Sequence, residues 1–108
     1  MSTTVVSLSE TYVPTFSRYG DNDRLYIGFE DQEGYFWSDL TVNLPGLDLG
    51  EREVVIDANS ADPALIEACE SAGLFTYTGR SVPSGFLRYR VAELSESFYN
   101  LAVQEADK

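Results

Sequence analysis

Apolar side chains recur at every second position in short runs, and each run is closed by a turn-forming cluster. Between Tyr35 and Pro45 the chain reads Tyr-Phe-Trp-Ser-Asp-Leu-Thr-Val-Asn-Leu-Pro, so that Leu40, Val42 and Leu44 alternate with Thr41 and Asn43. A period of two is the mark of a strand with one buried face, and β-branched and aromatic side chains suit that pleated surface. Pro45 has no N–H for a ladder and ends the run. The stretch is predicted to be a central strand of an antiparallel sheet.

The same pattern recurs before and after it. Thr11–Tyr19 alternates loosely, and Pro14 marks an edge position. Tyr19-Gly20-Asp21-Asn22-Asp23 is a turn, Arg24–Phe29 the next strand, and Glu30-Asp31-Gln32-Glu33-Gly34 a hairpin loop. This order predicts three adjacent antiparallel strands. Glu53–Asp57 reads as a short buried strand. Asp62 and Pro63 open a helix with Leu65, Ile66 and Cys69 on its apolar stripe, and Gly73 ends it. Leu74–Thr78 is a further strand, Thr78–Gly85 a tight loop, and Phe86–Val91 a strand with Arg88 and Arg90 on its outer face. Leu94, Phe98, Leu101 and Ala102 have helical spacing, which places a terminal helix over Leu94–Glu105 with Ser95 as the candidate cap. The expected fold is one α+β domain over residues 1–108: an antiparallel sheet of five or six strands, one packed helix and a C-terminal helix. Residues 1–10 are expected to be a loosely ordered N-terminal segment.

Several chemistries are excluded by what the chain lacks. It has no histidine, which removes the usual general base near neutral pH and the commonest transition-metal ligand. Cys69 is the single cysteine, on an apolar stripe flanked by Glu67 and Glu70, and reads as a core thiol. Asp21-Asn22-Asp23 resembles the opening of a calcium loop, but Arg24-Leu25-Tyr26 stands where oxygen ligands and a glycine belong. No glycine-rich loop is joined to a lysine, so there is no phosphate-binding loop. The expectation is a protein that is not an enzyme, with no cofactor and no metal. No apolar run approaches the ~20 residues of a membrane helix, the N-terminus lacks a basic region, and a cytoplasmic location is expected.

Charge says what the chain would meet. Eighteen acids against seven basic residues give a net charge of −11, which repels nucleic acid and anionic membranes and attracts basic surfaces. The acids concentrate between Asp21 and Asp57, whereas Ser71–Ala92 contains none and carries Arg80, Arg88 and Arg90.

Three stretches carry a resemblance. Leu40-Thr41-Val42-Asn43-Leu44-Pro45, Val55-Ile56-Asp57-Ala58-Asn59, and Gly73-Leu74 with Thr78-Gly79-Arg80 and Pro83-Ser84-Gly85-Phe86 resemble a family of small acidic bacterial proteins of plasmids, conjugative elements and phage. The resemblance covers residues 24–94 and implies no activity, cofactor or catalytic residue. It implies a mobile-element role, anti-defence functions of the anti-CRISPR kind included.

Together these readings lead to a non-catalytic acidic protein docking on a basic surface of a larger protein or ribonucleoprotein complex. In its sharpest form it inhibits a nucleic-acid-binding defence complex, a CRISPR effector or a restriction enzyme, with carboxylates standing where phosphates would. The expected contact residues are Asp21, Asp23, Glu30, Asp31, Glu33 and Asp39, with Tyr26, Tyr35 or Trp37 as anchors. The alternatives are an accessory or structural protein whose acidity serves solubility, and a weak single-stranded nucleic-acid binder using Arg80, Arg88 and Arg90.

Overall fold

The alternating run around Leu40 forms two short strands that belong to different sheets. The computed structural model describes residues 4–7 and 9–108. Among these, the elements in chain order are β1 (Val5–Ser7), β2 (Glu10–Arg18), β3 (Leu25–Glu30), β4 (Phe36–Asp39), β5 (Thr41–Val42), β6 (Glu53–Ile56), α1 (Pro63–Ser71), β7 (Phe75–Ser84), β8 (Leu87–Leu94) and α2 (Glu96–Ala106). One antiparallel sheet has the order β1-β2-β3-β4 and the other β5-β6-β8-β7. The fold is α+β, with β2, β3 and β4 adjacent and antiparallel as the sequence predicts. It differs in having two four-stranded sheets in place of one sheet of five or six.

Leu40 makes the crossing. It is fully buried; its N–H donates to the Ile27 carbonyl at 2.9 Å and its carbonyl accepts from the Asp57 N–H at 2.9 Å. One residue is thus bonded to both sheets. Just before it, the β3–β4 register shifts between Phe29 and Glu30; such bulges bend a strand and let it turn a corner between sheets. In consequence β4 and β5 lie at sheet edges, not at the centre.

Three further expectations are corrected. Within the segment expected to be loose, Val5–Ser7 pair with Glu10–Tyr12, and Val5 and Ser7 are buried; residues 1–3 and 8 lie outside the described part. β2 is an inner strand, but its described pairing with β1 ends at Tyr12, so Pro14 is matched there only to Phe29 of β3 and its missing N–H breaks no described ladder bond. The expected loop Thr78–Gly85 is mostly strand. β7 runs on to Ser84 with a register shift between Tyr77 and Ser81, where Gly79 adopts φ of 91°. Pro83 is tolerated because β7 is an edge strand. Ser84 faces Leu87, leaving Gly85 and Phe86 as a two-residue turn; Gly85 alone has positive φ, 63°, as a type II′ turn requires.

Both helices start as their sequences dictate. Asp62 Oδ1 accepts from the Ala64 N–H at 3.1 Å, and Ser95 Oγ from the Phe98 N–H at 3.2 Å. α1 lies against β1 and β7, and α2 against β2 and β3. One core cluster joins all of them: Ile27, Phe29, Leu40, Ile56, Leu65, Cys69, Phe75, Leu94 and Phe98. No helix among the described residues is long and apolar enough to cross a membrane.

Candidate functional site

Three consecutive aromatic side chains, Tyr35, Phe36 and Trp37, stand exposed at the start of β4, at 68%, 66% and 47% of their full surface. The hairpin loop sets them there. Asp31 Oδ1 accepts from the N–H groups of Glu33 (2.9 Å) and Tyr35 (3.0 Å), and the Asp31 N–H donates to the Tyr35 carbonyl. An aspartate that closes a loop through its own side chain leaves little freedom to the residues just after it.

The bulge then does what simple alternation cannot. Glu30 faces Phe36 and Phe29 faces Ser38, so Trp37 is the extra residue without a partner. Two neighbouring aromatics therefore reach solvent, where an unbroken strand would turn one inward. Trp37 Nε1 donates to Asp62 Oδ2 at 3.0 Å, and the ring lies 5.1 Å from the buried Tyr12 ring, tilted by 30°. Ser38 Oγ accepts from the Asp62 N–H at 3.0 Å. The first sheet is tied in this way to the start of α1. An open groove of about 360 Å³ runs between Trp37 and Ser60–Pro63.

Negative charge acts on this aromatic pair. The Tyr12 phenol is pushed above its ordinary value of 10.0, first by burial and then by the negative charges of Glu10, Asp62 and Asp31. Glu30 and Glu33 belong to the same hairpin.

Of the nine contact residues expected from sequence, five come together here: Glu30, Asp31, Glu33, Tyr35 and Trp37. Asp21 and Asp23 lie in the turn at the other end of β3, ~20 Å away for a six-residue strand. Asp21 Oδ1 accepts from Asn43 Nδ2 at 2.9 Å, and the Asp23 carbonyl from Arg18 at 2.7 Å. Tyr26 and Asp39 occupy each other midway, the phenol donating to Asp39 Oδ1 at 2.5 Å. Burial first, and then the Asp39 carboxylate, raise the Tyr26 phenol well above the ordinary tyrosine range. The expected acids thus form two separate end groups and an internally bonded pair, not one continuous flank.

Sequence reasoning missed Phe36, Glu10 and Asp62. Phe36 stood in the quoted run, but period two assigns it to one face and Trp37 to the other; only the bulge exposes both. Phe86, in the arginine-bearing stretch of the second sheet, is fully exposed at the β7–β8 turn.

The arginines of the second sheet all have partners. Arg80 bonds Glu53 Oε1 (3.3 Å) and the Asp48 carbonyl (3.0 Å), Arg88 bonds Ser81 Oγ (2.9 Å), and Arg90 lies 3.4 Å over the Tyr77 ring. Between the sheets is a cavity of about 210 Å³ bordered by Arg18, Tyr19, Arg24, Thr41, Glu53 and Tyr99. Arg18 is paired with Asp107, Tyr19 with Thr41, and Arg24 with the carbonyls of Leu44 and Leu47. Ligand pockets typically reach ~300 Å³ or more, and the arginines and Tyr19 bordering this smaller cavity are bonded within the protein, so the hairpin is the stronger candidate. Cys69 is fully enclosed, and burial pushes its thiol up to about 12.

The family model described as Domain of unknown function (DUF4313) matches residues 15–105. The chain belongs to that family. The DUF4313 match begins within β2 and runs nearly to the end of α2, so it contains Glu30–Trp37 and Asp62 but leaves out Glu10 and Tyr12. No curated protein and no solved structure matches the chain.

Proposed function

We propose that this is a non-catalytic binding protein of the cytoplasm that docks its acidic, aromatic β3–β4 hairpin on a basic surface of a larger partner. The observation that carries the reading is the exposure of Tyr35, Phe36 and Trp37 beside Glu30, Asp31 and Glu33. Protein-binding surfaces combine aromatic anchors, which supply most of the energy, with charges that steer encounter and fix the register. A net charge of −11 selects a basic partner. In the sharpest form that partner is a nucleic-acid-binding complex, a CRISPR effector or restriction enzyme, inhibited by occupation of its phosphate-binding groove. The resemblance to mobile-element proteins supports that choice.

Capture from a bacterial lysate with tagged protein tests it, comparing the wild type with a Glu30→Gln/Glu33→Gln/Phe36→Ser variant. The wild type is expected to retain a nucleic-acid-binding protein, release it as salt rises toward ~0.5 M, where screening shortens to a few Å, and displace its nucleic acid. The variant is expected to retain little. Equal capture by both would remove the hairpin from the account. Direct binding of single-stranded nucleic acid at low salt would favour the arginine face of the second sheet instead.

A further inference from the structure

Resting on that reading and naming its contact chemistry, we infer that the outer face of the Trp37 indole receives an arginine guanidinium from the partner. The geometry is specific to this ring. Its other side lies against Tyr12, and its N–H is held by Asp62, so the indole is fixed in place while nearly half its surface remains open. Being fixed, it loses little freedom on binding. Indole is the best of the aromatic faces for a cation. Among the described residues no guanidinium of the chain itself stands on it; the arginine–aromatic contact in the fold is Arg90 over Tyr77.

Charge complementarity selects the occupant. Glu10, Asp31 and Asp62 all act on Tyr12, the ring directly beneath Trp37. Glu10 shares the face of Tyr12 at the start of β2, Asp31 closes the β3–β4 loop before the indole, and Asp62, just before α1, holds the indole N–H. A planar guanidinium can lie on the ring while its edge N–H groups reach such carboxylates, whereas a lysine ammonium, compact and strongly hydrated, does not offer both contacts at once. The groove between Trp37 and Ser60–Pro63 leaves room for the aliphatic stem of the incoming side chain.

Trp37 is the chain's single tryptophan, so its emission reports this site alone. Hexa-arginine and hexa-lysine are titrated into the intact protein at low salt, and dye-labelled peptides are followed by anisotropy for the variants. Hexa-arginine is expected to change the emission saturably and to bind at least ~2-fold more tightly than hexa-lysine, the lower end of a cation–π contribution. Trp37→Leu is expected to abolish that preference, and Trp37→Phe to keep part of it. Glu10→Gln, at an exposed position that leaves the ring in place, is expected to weaken both peptides. Equal binding of the two peptides, or binding without a change in emission, would overturn the arginine contact and leave docking on a basic surface standing. Failure of both peptides, with lysate capture still dependent on the hairpin, would overturn the inference alone.

Discussion

Gly28 shows how much one missing methyl group decides. It is buried in the middle of β3, and a Cβ there would collide with the Tyr26 phenol, two residues back on the same face. The bare backbone is what lets the ring lie across the strand and reach Asp39. Gly28→Ala is expected to push the phenol off Asp39 and cost about 1–3 kcal/mol in denaturant unfolding. Tyr26→Phe, which removes only the hydrogen bond, should cost about 0.5–1.5 kcal/mol. A Gly28→Ala protein as stable as the wild type would mean that the ring has another place to go. The end caps Asp62 and Ser95 and the helix stop at Gly73 were legible in the sequence, since each acts within a turn of its own position. Tyr26 and Asp39 were not. They are thirteen residues apart, meet only through the β3–β4 register, and looked like surface groups free to bind.

Among the elements, long runs were easier to recognise than the places where they change direction. Periodicity and turn chemistry are enough to place β2, β3, α1 and α2. The run Tyr35–Pro45 misleads because its alternation continues through Leu40 while its hydrogen bonding changes sheet there. β7 misleads in the opposite sense: Gly79 and Pro83 look like loop punctuation, yet one sits at a register shift and the other on an edge. At this scale the end of α2 carries a pH dependence. Asp107 receives two hydrogen bonds from Arg18, at 2.6 and 3.0 Å, and that pairing holds its carboxyl below the ordinary 3.8. A depressed folded value means that the contribution is complete above the ordinary value and is lost as pH falls through the lowered one. The stability difference between wild type and Asp107→Asn is therefore expected to be constant above pH ~5 and to vanish in stronger acid. A difference that persists unchanged in acid would show that the pair does not fasten α2 through its charge.

For the whole molecule, composition foretold the sign of the field but not its shape. The net charge of −11 is readable at once, and the predicted strand between the two turns already divides the expected acids; the mutual engagement of Tyr26 and Asp39 is a product of topology alone. So is the pairing of Arg80, Arg88 and Arg90 with their own neighbours. The β3–β4 hairpin combines exposed aromatic and acidic side chains in one place and is anchored to α1 through Trp37 and Asp62.

Hydrogen exchange on the complex with the captured partner asks where the contact lies. New protection is expected at Glu30–Trp37 and at the adjoining Ser60–Asp62, with little change at Gly79–Arg90. Protection confined to the β7–β8 hairpin, with Glu30–Trp37 exchanging as in the free protein, would contradict the account.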